Sequence, residues 1–324
     1  MAKVEKITLS PEQKLIERKR KLTRIKKDKW IYLLLLPGAL FFILFKFVPM
    51  WGVLIAFKDY YAGINFWMAP WVGFSNFTDF FTDSDFLRLF KNTLIISGMN
   101  LVFFFPLPII LSLFLNEMKI QWYKKAVQTL VYVPHFVSMV VICSITFMLV
   151  KTPSIDGFTG GALYEIMKRL TGQSINVLDT PSNIYWVLLI QNIWKETGWG
   201  TVIFLAALAG VDMEQYEAAI VDGANRWQQM FYITFPAITS TIITMFILRM
   251  GAVLDTGFEQ IILMQNDLNK TTSETFDTYV YNVGRVDGNY GYSTAVGLFK
   301  SIISIICIQS ANFLAKRHGQ AGLF

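Results

Sequence analysis

Five ionisable side chains lie inside long apolar stretches of this sequence, where a charge is energetically expensive. They are Lys46, Lys195, Glu196, Arg249 and Lys300. A charged side chain at the centre of a bilayer costs roughly 2.5–3.5 kcal/mol on insertion scales, so such residues usually face a cavity or a partner. Lysine and arginine pair with carboxylates, and the indole rings of Trp194 and Trp199 offer flat faces for stacking. The pattern indicates a polar pathway through an apolar protein.

Signatures of catalysis are absent from the sequence. Neither His135 nor His318 has a cysteine or carboxylate partner at metal-ligand spacing, and the sequence contains no GxSxG, HExxH or G-x-x-x-x-G-K-[ST] pattern. Cys143 and Cys307 lie inside apolar runs, which favours small buried side chains over a disulfide or metal pair. We therefore predict no catalytic residue, no metal and no cofactor bound by this chain.

The composition indicates an integral membrane protein. Of the 324 residues 54% are hydrophobic and only 16% are charged, whereas soluble domains carry roughly 25% charged residues. Mean hydropathy is +0.44. These values exclude a disordered or fibrous protein and disfavour one or two soluble domains.

Six apolar runs are long enough to cross a bilayer, since a spanning helix needs about 20 mostly apolar residues. The predicted spans are about 30–55, 92–115, 126–150, 183–210, 235–254 and 292–315. The first run is too long for a cleaved signal peptide and has no small-residue cleavage pattern, so it should remain as an anchor. Prolines within the spans are interpreted as tolerated kinks. The sequence thus predicts an all-α, six-span membrane domain over 30–315.

The distribution of basic residues predicts the orientation. Residues 1–29 contain eleven Lys or Arg and four acids, whereas the remaining chain carries a net charge of −1. A basic arm can bind nucleic acid, but directly before an apolar run it more often holds a terminus in the cytoplasm. With residues 1–29 and 316–324 inside, the inside segments hold 17 basic residues and the longer outside loops hold 8. The outside loops, near 56–91, 151–182 and 255–291, are expected to form a small folded cap.

The loop 211–236, between the fourth and fifth spans, reads as two short helices. Asp212 is a candidate N-cap, and Gly223 lies where a helix would end in the left-handed conformation. Asn225 with Gln228 forms the pattern of a capping box for a second helix, and Pro236 follows at the start of span five.

This loop resembles the EAA loop of ABC importer permeases, whose pattern is EAA-x3-G-x9-I-x-L-P. Glu217-Ala218-Ala219, Gly223, Ile233 and Pro236 match at every spacing, and Phe235 replaces the usual Leu. The segments 132–136, 193–200, 205–210 and 292–300 also look like the carbohydrate-importer branch, and more narrowly like permeases for alginate and aldouronate fragments. The resemblance implies the type I permease fold with a short cytoplasmic coupling helix.

The resemblance also implies a set of partners. In this family the EAA loop docks on an ATPase subunit, so Glu217, Ala218, Ala219, Asp222 and Gly223 would be the ATPase contact. Two different permease subunits pair over two ATPase copies, which carry the ATP and Mg, and a solute-binding protein delivers sugar at the outer face. The expected location is the bacterial cytoplasmic membrane.

Within this interpretation the charges in the spans suggest a basic translocation cavity suited to an acidic oligosaccharide. The candidate pathway residues are Trp194, Lys195, Glu196, Trp199, Arg249 and Lys300. Alternatively, Lys46 and Lys300 extend to lipid head groups, and Glu196 or another subunit neutralises Lys195. A neutral oligosaccharide remains open as substrate. A self-sufficient channel or ion-coupled carrier is the alternative of a different class, but we see neither repeated halves nor broken mid-span helices in the sequence. A membrane enzyme would need an acid–base or metal set.

Overall fold

The computed structural model describes residues 23, 27–153, 160–320 and 322–323. Most of the predicted basic arm 1–29, and part of the tail 316–324, therefore lie outside the described residues. The described chain is helical, and its β pairing is confined to two isolated bridges, Lys58 with Trp71 and Tyr61 with Asn289. The prediction of an all-α protein is confirmed for this part of the chain.

The helical segments follow one another through short connections. In chain order the described residues form α1 (Lys29–Phe57), α2 (Ser75–Thr82), α3 (Phe86–Glu117), α4 (Gln121–Phe136), α5 (Met139–Val150), α6 (Ala162–Thr171), α7 (Ile184–Leu208), α8 (Met213–Val221), α9 (Arg226–Gly251), α10 (Phe258–Met264), α11 (Lys270–Ser273), α12 (Phe276–Tyr281) and α13 (Tyr290–Arg317). Single π-helical turns lie within α1, α3 and α9, and the last part of α1, Val48–Phe57, is a 3₁₀ helix.

The long apolar helices match most of the predicted spans. Among the described residues α1, α3, α9 and α13 are long and apolar enough to cross a membrane. Helix α7 has 25 residues, but polar side chains from Gln191 to Glu196 lower its hydropathy. Polar groups at that depth must be surrounded by protein or line a cavity. Helix α7 meets this condition because it lies within the protein.

The third predicted span, 126–150, is not one helix, so the expectation that no mid-span helix is broken was wrong. Helices α4 and α5 meet at an angle of 96°. Pro134 lies in the final 3₁₀ turn of α4, and Val137 and Ser138 then adopt extended backbone angles. Ser138 accepts a hydrogen bond from the Val141 amide and so begins α5 as its N-cap. The sequence remains apolar through the break, which hid it from a hydropathy argument.

The described residues divide into two units, one up to residue 54 and one from residue 55 onward. In the first, the segment Lys29–Phe42 has no buried side chain, and its apolar side chains are exposed. An apolar helix of this kind requires lipid or another protein around it.

In the second unit α7 occupies a central place. It packs along the Pro106–Glu117 part of α3, and α9 packs along α13. One apolar cluster joins α3, α7 and α9 through Ile109, Phe204 and Ile238. This apolar cluster therefore holds together α3, α7 and α9, and α7 and α9 carry polar pathway residues.

An aromatic cluster joins α2, α3, α12 and α13 at the predicted outer side. Phe80 and Phe276 are fully buried there. The Asp83 carboxylate accepts hydrogen bonds from the hydroxyl groups of Tyr279 (2.9 Å) and Tyr292 (2.8 Å). Burial tends to raise the pKa of Asp83, but the hydrogen bond from the Asp85 amide and the two tyrosine hydroxyls outweigh it and hold that pKa below its usual value. Burial raises the pKa of Tyr279 to about 12, so its hydroxyl remains a donor.

Candidate functional sites

Helix α8 carries the EAA residues, and its ends form as the sequence predicts. The Asp212 carboxylate accepts a hydrogen bond from the Glu214 amide (3.0 Å) at the N-terminus. Gly223 has φ +79°, and the Ala224 amide donates to the Ala219 carbonyl (2.8 Å), which closes the C-terminus. The Asn225–Gln228 capping box is present at the start of α9, with both bonds formed (2.7 and 2.9 Å).

One side-chain contact joins α8 to α9, and an ion pair just after α8 joins α9 to α3. The Tyr216 hydroxyl lies 2.9 Å from the Thr234 hydroxyl of α9, and Arg226 pairs with Glu117 at the end of α3 (3.6 Å). A cavity of about 620 Å³ lies between α8 and that end of α3.

No residue of α8 is buried, although the helix carries large apolar side chains. Met213 is 67% exposed and Val221 is 87% exposed. Glu217, Ala218, Asp222 and Gly223 are also exposed, and Ala219 is partly exposed. A short helix that is held at its ends and leaves its apolar side chains uncovered is a surface suited to another protein.

Deeper in the protein, Lys195 of α7 lies at the break between α4 and α5. Its Nζ atom donates to the carbonyl oxygens of His135 (2.6 Å) and Val137 (2.7 Å). The side chain is only 14% exposed, and the nearest Glu196 oxygen is 3.9 Å away. Lys195 therefore binds backbone carbonyls at the point where the helix stops.

His135 connects the same break to two other residues of α7. Its Nδ1 atom lies 2.8 Å from Oε2 of Glu196, and its ring stacks on Trp199 at 4.6 Å between centroids with 4° between planes. Gly198, between these two residues, allows the backbones to approach closely, because a Cβ atom there would overlap the Val131 carbonyl. The break in α4–α5 is thus fitted tightly to α7.

A cavity of about 420 Å³ lies beside this junction. Its wall is formed by α3, α7 and α9 and includes Phe104, Asn192, Glu196, Trp199 and Arg249. A second cavity of about 200 Å³ shares Asn192 and Arg249 and adds polar residues that include Asp255 and Gln260. Arg249 therefore lies between an aromatic cavity and a smaller polar one.

Asp255, which lines the smaller cavity with Arg249, supplies an opposite charge to it without forming an ion pair. The Arg249 guanidinium lies 5.7 Å from the centre of the Phe104 ring. Among the residues that the structure describes, no hydrogen bond or ion pair to Arg249 is formed. A partly buried arginine that faces a cavity in this state can donate hydrogen bonds to the carboxylate of a bound molecule.

The structure brings together some of the predicted pathway residues and separates others. Glu196, Trp199 and Arg249 share the larger cavity. Lys195 lies behind the cavity wall on the two carbonyls. Lys300 forms an ion pair with Asp277 of α12, and Trp194 is half exposed away from the cavity lining.

Sequence reasoning missed three residues around the cavity. His135 was set aside because no partner lies near it in sequence, but Glu196 is 61 positions away. Asn192, one turn before Glu196 on the same face of α7, could have been found by helical spacing. Phe104 gave no signal among many phenylalanines.

The chain is similar to known transport proteins over most of its length. The family profile of binding-protein-dependent transport system inner membrane components matches residues 105–320. Protein LplB of Bacillus subtilis (strain 168) is 52% identical over 94% of this chain and 93% of its own length. The polygalacturonan/rhamnogalacturonan transport system permease protein YteP of the same organism is 44% identical over 95% and 94%.

A solved structure extends the similarity to the fold. A chain of a bacterial alginate ABC transporter, in complex with alginate pentasaccharide-bound periplasmic protein, superposes with a TM-score of 0.84 at 34% identity. The match covers 93% of this chain and 99% of that chain.

Proposed function

This chain belongs to the family of binding-protein-dependent transport system inner membrane components, and from that premise we propose that it passes an acidic oligosaccharide across the membrane. As a member of this family it is a multi-pass transport subunit and not an enzyme, and ATP hydrolysis is on a separate chain. Its fold is that of the type I ABC permeases, as predicted. The broken span α4–α5 therefore does not indicate an ion-coupled carrier.

The observation that supports an acidic substrate is the position of Arg249. Its guanidinium faces a cavity that also contains an indole face and a carboxylate, from Trp199 and Glu196. A uronic acid residue offers a carboxylate for arginine, a ring for stacking and hydroxyl groups for a carboxylate acceptor. The names of two similar proteins, which refer to polygalacturonan/rhamnogalacturonan and to alginate, support the same class.

The partners that we propose follow from the exposed α8. The segment Glu217–Gly223 would bind a groove of an ATPase subunit, with two ATPase copies and a second permease subunit completing the complex. A solute-binding protein would deliver the saccharide at the outer face. Both termini would then lie in the cytoplasm, in agreement with the excess of basic residues in the inside segments.

Uptake by the reconstituted complete transporter tests the substrate. We expect accumulation of an oligogalacturonide and little accumulation of its methyl ester, which has the same rings and length without the negative charges. Arg249→Gln should reduce uptake of the acid about tenfold or more, since a bond to a charged group is lost, while Lys125→Met, an exposed change on α4, should not. Equal uptake of acid and ester, with Arg249→Gln inactive on both, would favour a neutral oligosaccharide.

ATPase coupling tests the role of α8. Glu217→Arg in the complete transporter should reduce solute transported per ATP hydrolysed, because a reversed charge on an exposed helix disturbs a docked partner more than the fold. Asp267→Arg, an exposed charge reversal between α10 and α11 on the predicted outer side, is the matched control. Full coupling in Glu217→Arg would contradict the docking.

A further inference from the structure

The break between α4 and α5 presents a problem that any membrane helix break must solve. Where a helix stops inside a bilayer its last carbonyl groups lose their amide partners, and each unsatisfied group costs several kcal/mol. Here the carbonyls of His135 and Val137 accept hydrogen bonds from a lysine of a different helix. The break is therefore stabilised by Lys195 of α7.

The contacts of Lys195 hold its amine at the break between α4 and α5. Its amine makes two bonds near 2.7 Å to carbonyls, and its side chain is mostly buried. It does not line either cavity beside the junction. A solute in the larger cavity would contact Glu196 and Trp199, which lie one and four positions after Lys195 and face the cavity.

His135 has a parallel arrangement. It contacts the Glu196 carboxylate through Nδ1 and one face of Trp199 through its ring, but it is not part of the cavity wall. Both residues that it contacts are part of that wall. The charged groups at this junction are Lys195, which is positive, and Glu196, which is negative. Glu196 also lies beside the His135 ring.

We propose that Lys195 and His135 are positioning residues that hold the bend between α4 and α5 against α7 and thereby set the solute-binding wall formed by Glu196 and Trp199. Neither residue touches the solute. The proposal rests on the proposed function only for the identity of that solute, because the bend itself is a property of the protein.

The bend can be measured without any solute. Spin labels on Thr129→Cys in α4 and Met148→Cys in α5, both exposed positions, report the distance across the bend in the complete transporter, with Cys143 and Cys307 replaced by Ala. We expect one narrow distance distribution in the parent, a broader or shifted one in Lys195→Met, and a narrow one again in Lys195→Arg, which retains charged donors. An unchanged distribution in Lys195→Met would overturn the proposal.

Transport kinetics test the connection to the cavity. Lys195→Met and His135→Ala should each raise the KM for uptake about tenfold, the change produced by losing one hydrogen bond to a charged group, with a smaller effect on maximal rate. His135→Gln should recover much of the loss, because its amide can donate to Glu196. Lys125→Met should leave KM unchanged. Equal KM values in His135→Ala and the parent would refute the role of His135.

The two proposals fail in different ways. If the transported solute is a neutral oligosaccharide, the distance distributions and the rise in KM for that solute still follow. If Lys195 touches the solute instead, Lys195→Met alters uptake but leaves the distance across the bend unchanged.

Discussion

Replacing Gly198 with alanine is the most direct test of the tight junction between α4 and α7. The new Cβ atom would overlap the backbone carbonyl of Val131, and a backbone group cannot rotate away as a side chain can. To restore a van der Waals separation the two helices must move apart by roughly 1 Å or more. The bonds from Lys195, at 2.6 and 2.7 Å, would then exceed the limit for a hydrogen bond.

The size of the effect follows from these two losses. Overpacking costs about 1–3 kcal/mol, and a weakened bond to a charged group adds about 1.5 kcal/mol, so a total near 3 kcal/mol is expected. At roughly 1.5 °C per kcal/mol for a chain of 324 residues, the midpoint should fall by about 4–5 °C. Uptake should also fall, because the cavity wall moves with the junction.

The assay is the fraction of complete transporter that remains intact in size-exclusion chromatography after heating. Gly98→Ala is the matched control: this glycine lies in α3, another apolar helix, and a Cβ atom there would meet nothing within 4 Å. Its midpoint should remain equal to that of the parent or rise slightly, since alanine favours the helix. Equal midpoints for Gly198→Ala and Gly98→Ala would refute the steric reasoning.

Three further substitutions have defined outcomes. Asp83→Asn should make thermal stability less sensitive to acid, because the pKa of Asp83 is lowered in the folded protein. The stability that Asp83 contributes is complete above its unfolded pKa near 3.9 and is lost as pH falls through the lower folded pKa. Identical midpoints against pH for variant and parent would contradict this. Gly223→Ala should cost about 1 kcal/mol because φ +79° is unfavourable for alanine, and should lower transport per ATP, whereas Gly297→Ala, in open space, should do neither. Lys300→Met should destabilise the transporter by leaving the Asp277 carboxylate unpaired, and adding Asp277→Asn should recover most of the midpoint; no recovery in the double variant would show that the pair is not what is lost.

Sequence signals predicted the structure correctly where that structure depends on residues close together along the chain. Asp212, Gly223 and the Asn225–Gln228 box act on neighbouring amides, so their residue types predicted the ends of α8 and the start of α9 correctly. The long apolar runs likewise predicted the spanning helices, because hydropathy reports on the surroundings of a whole segment.

The sequence was insufficient where partners are distant along the chain. Hydropathy continues unbroken through Val137 and Ser138, and Pro134 reads as an ordinary kink, so the 96° bend was missed. The lysine that makes the bend tolerable lies about 60 positions away. In the same way, the charge of Lys300 is balanced by Asp277 in a segment predicted to be loop.

Helix α9 connects the two candidate sites as one continuous helix. Arg226 stands at its base beside α8, and Arg249 stands near its far end in the cavity wall. At 1.5 Å per residue about 35 Å of helix separates the two arginines. Hydrogen bonds along the axis resist compression, so we expect a displacement of the base along that axis to reach Arg249. The π turn at Met230–Thr234 is the point at which this helix can bend.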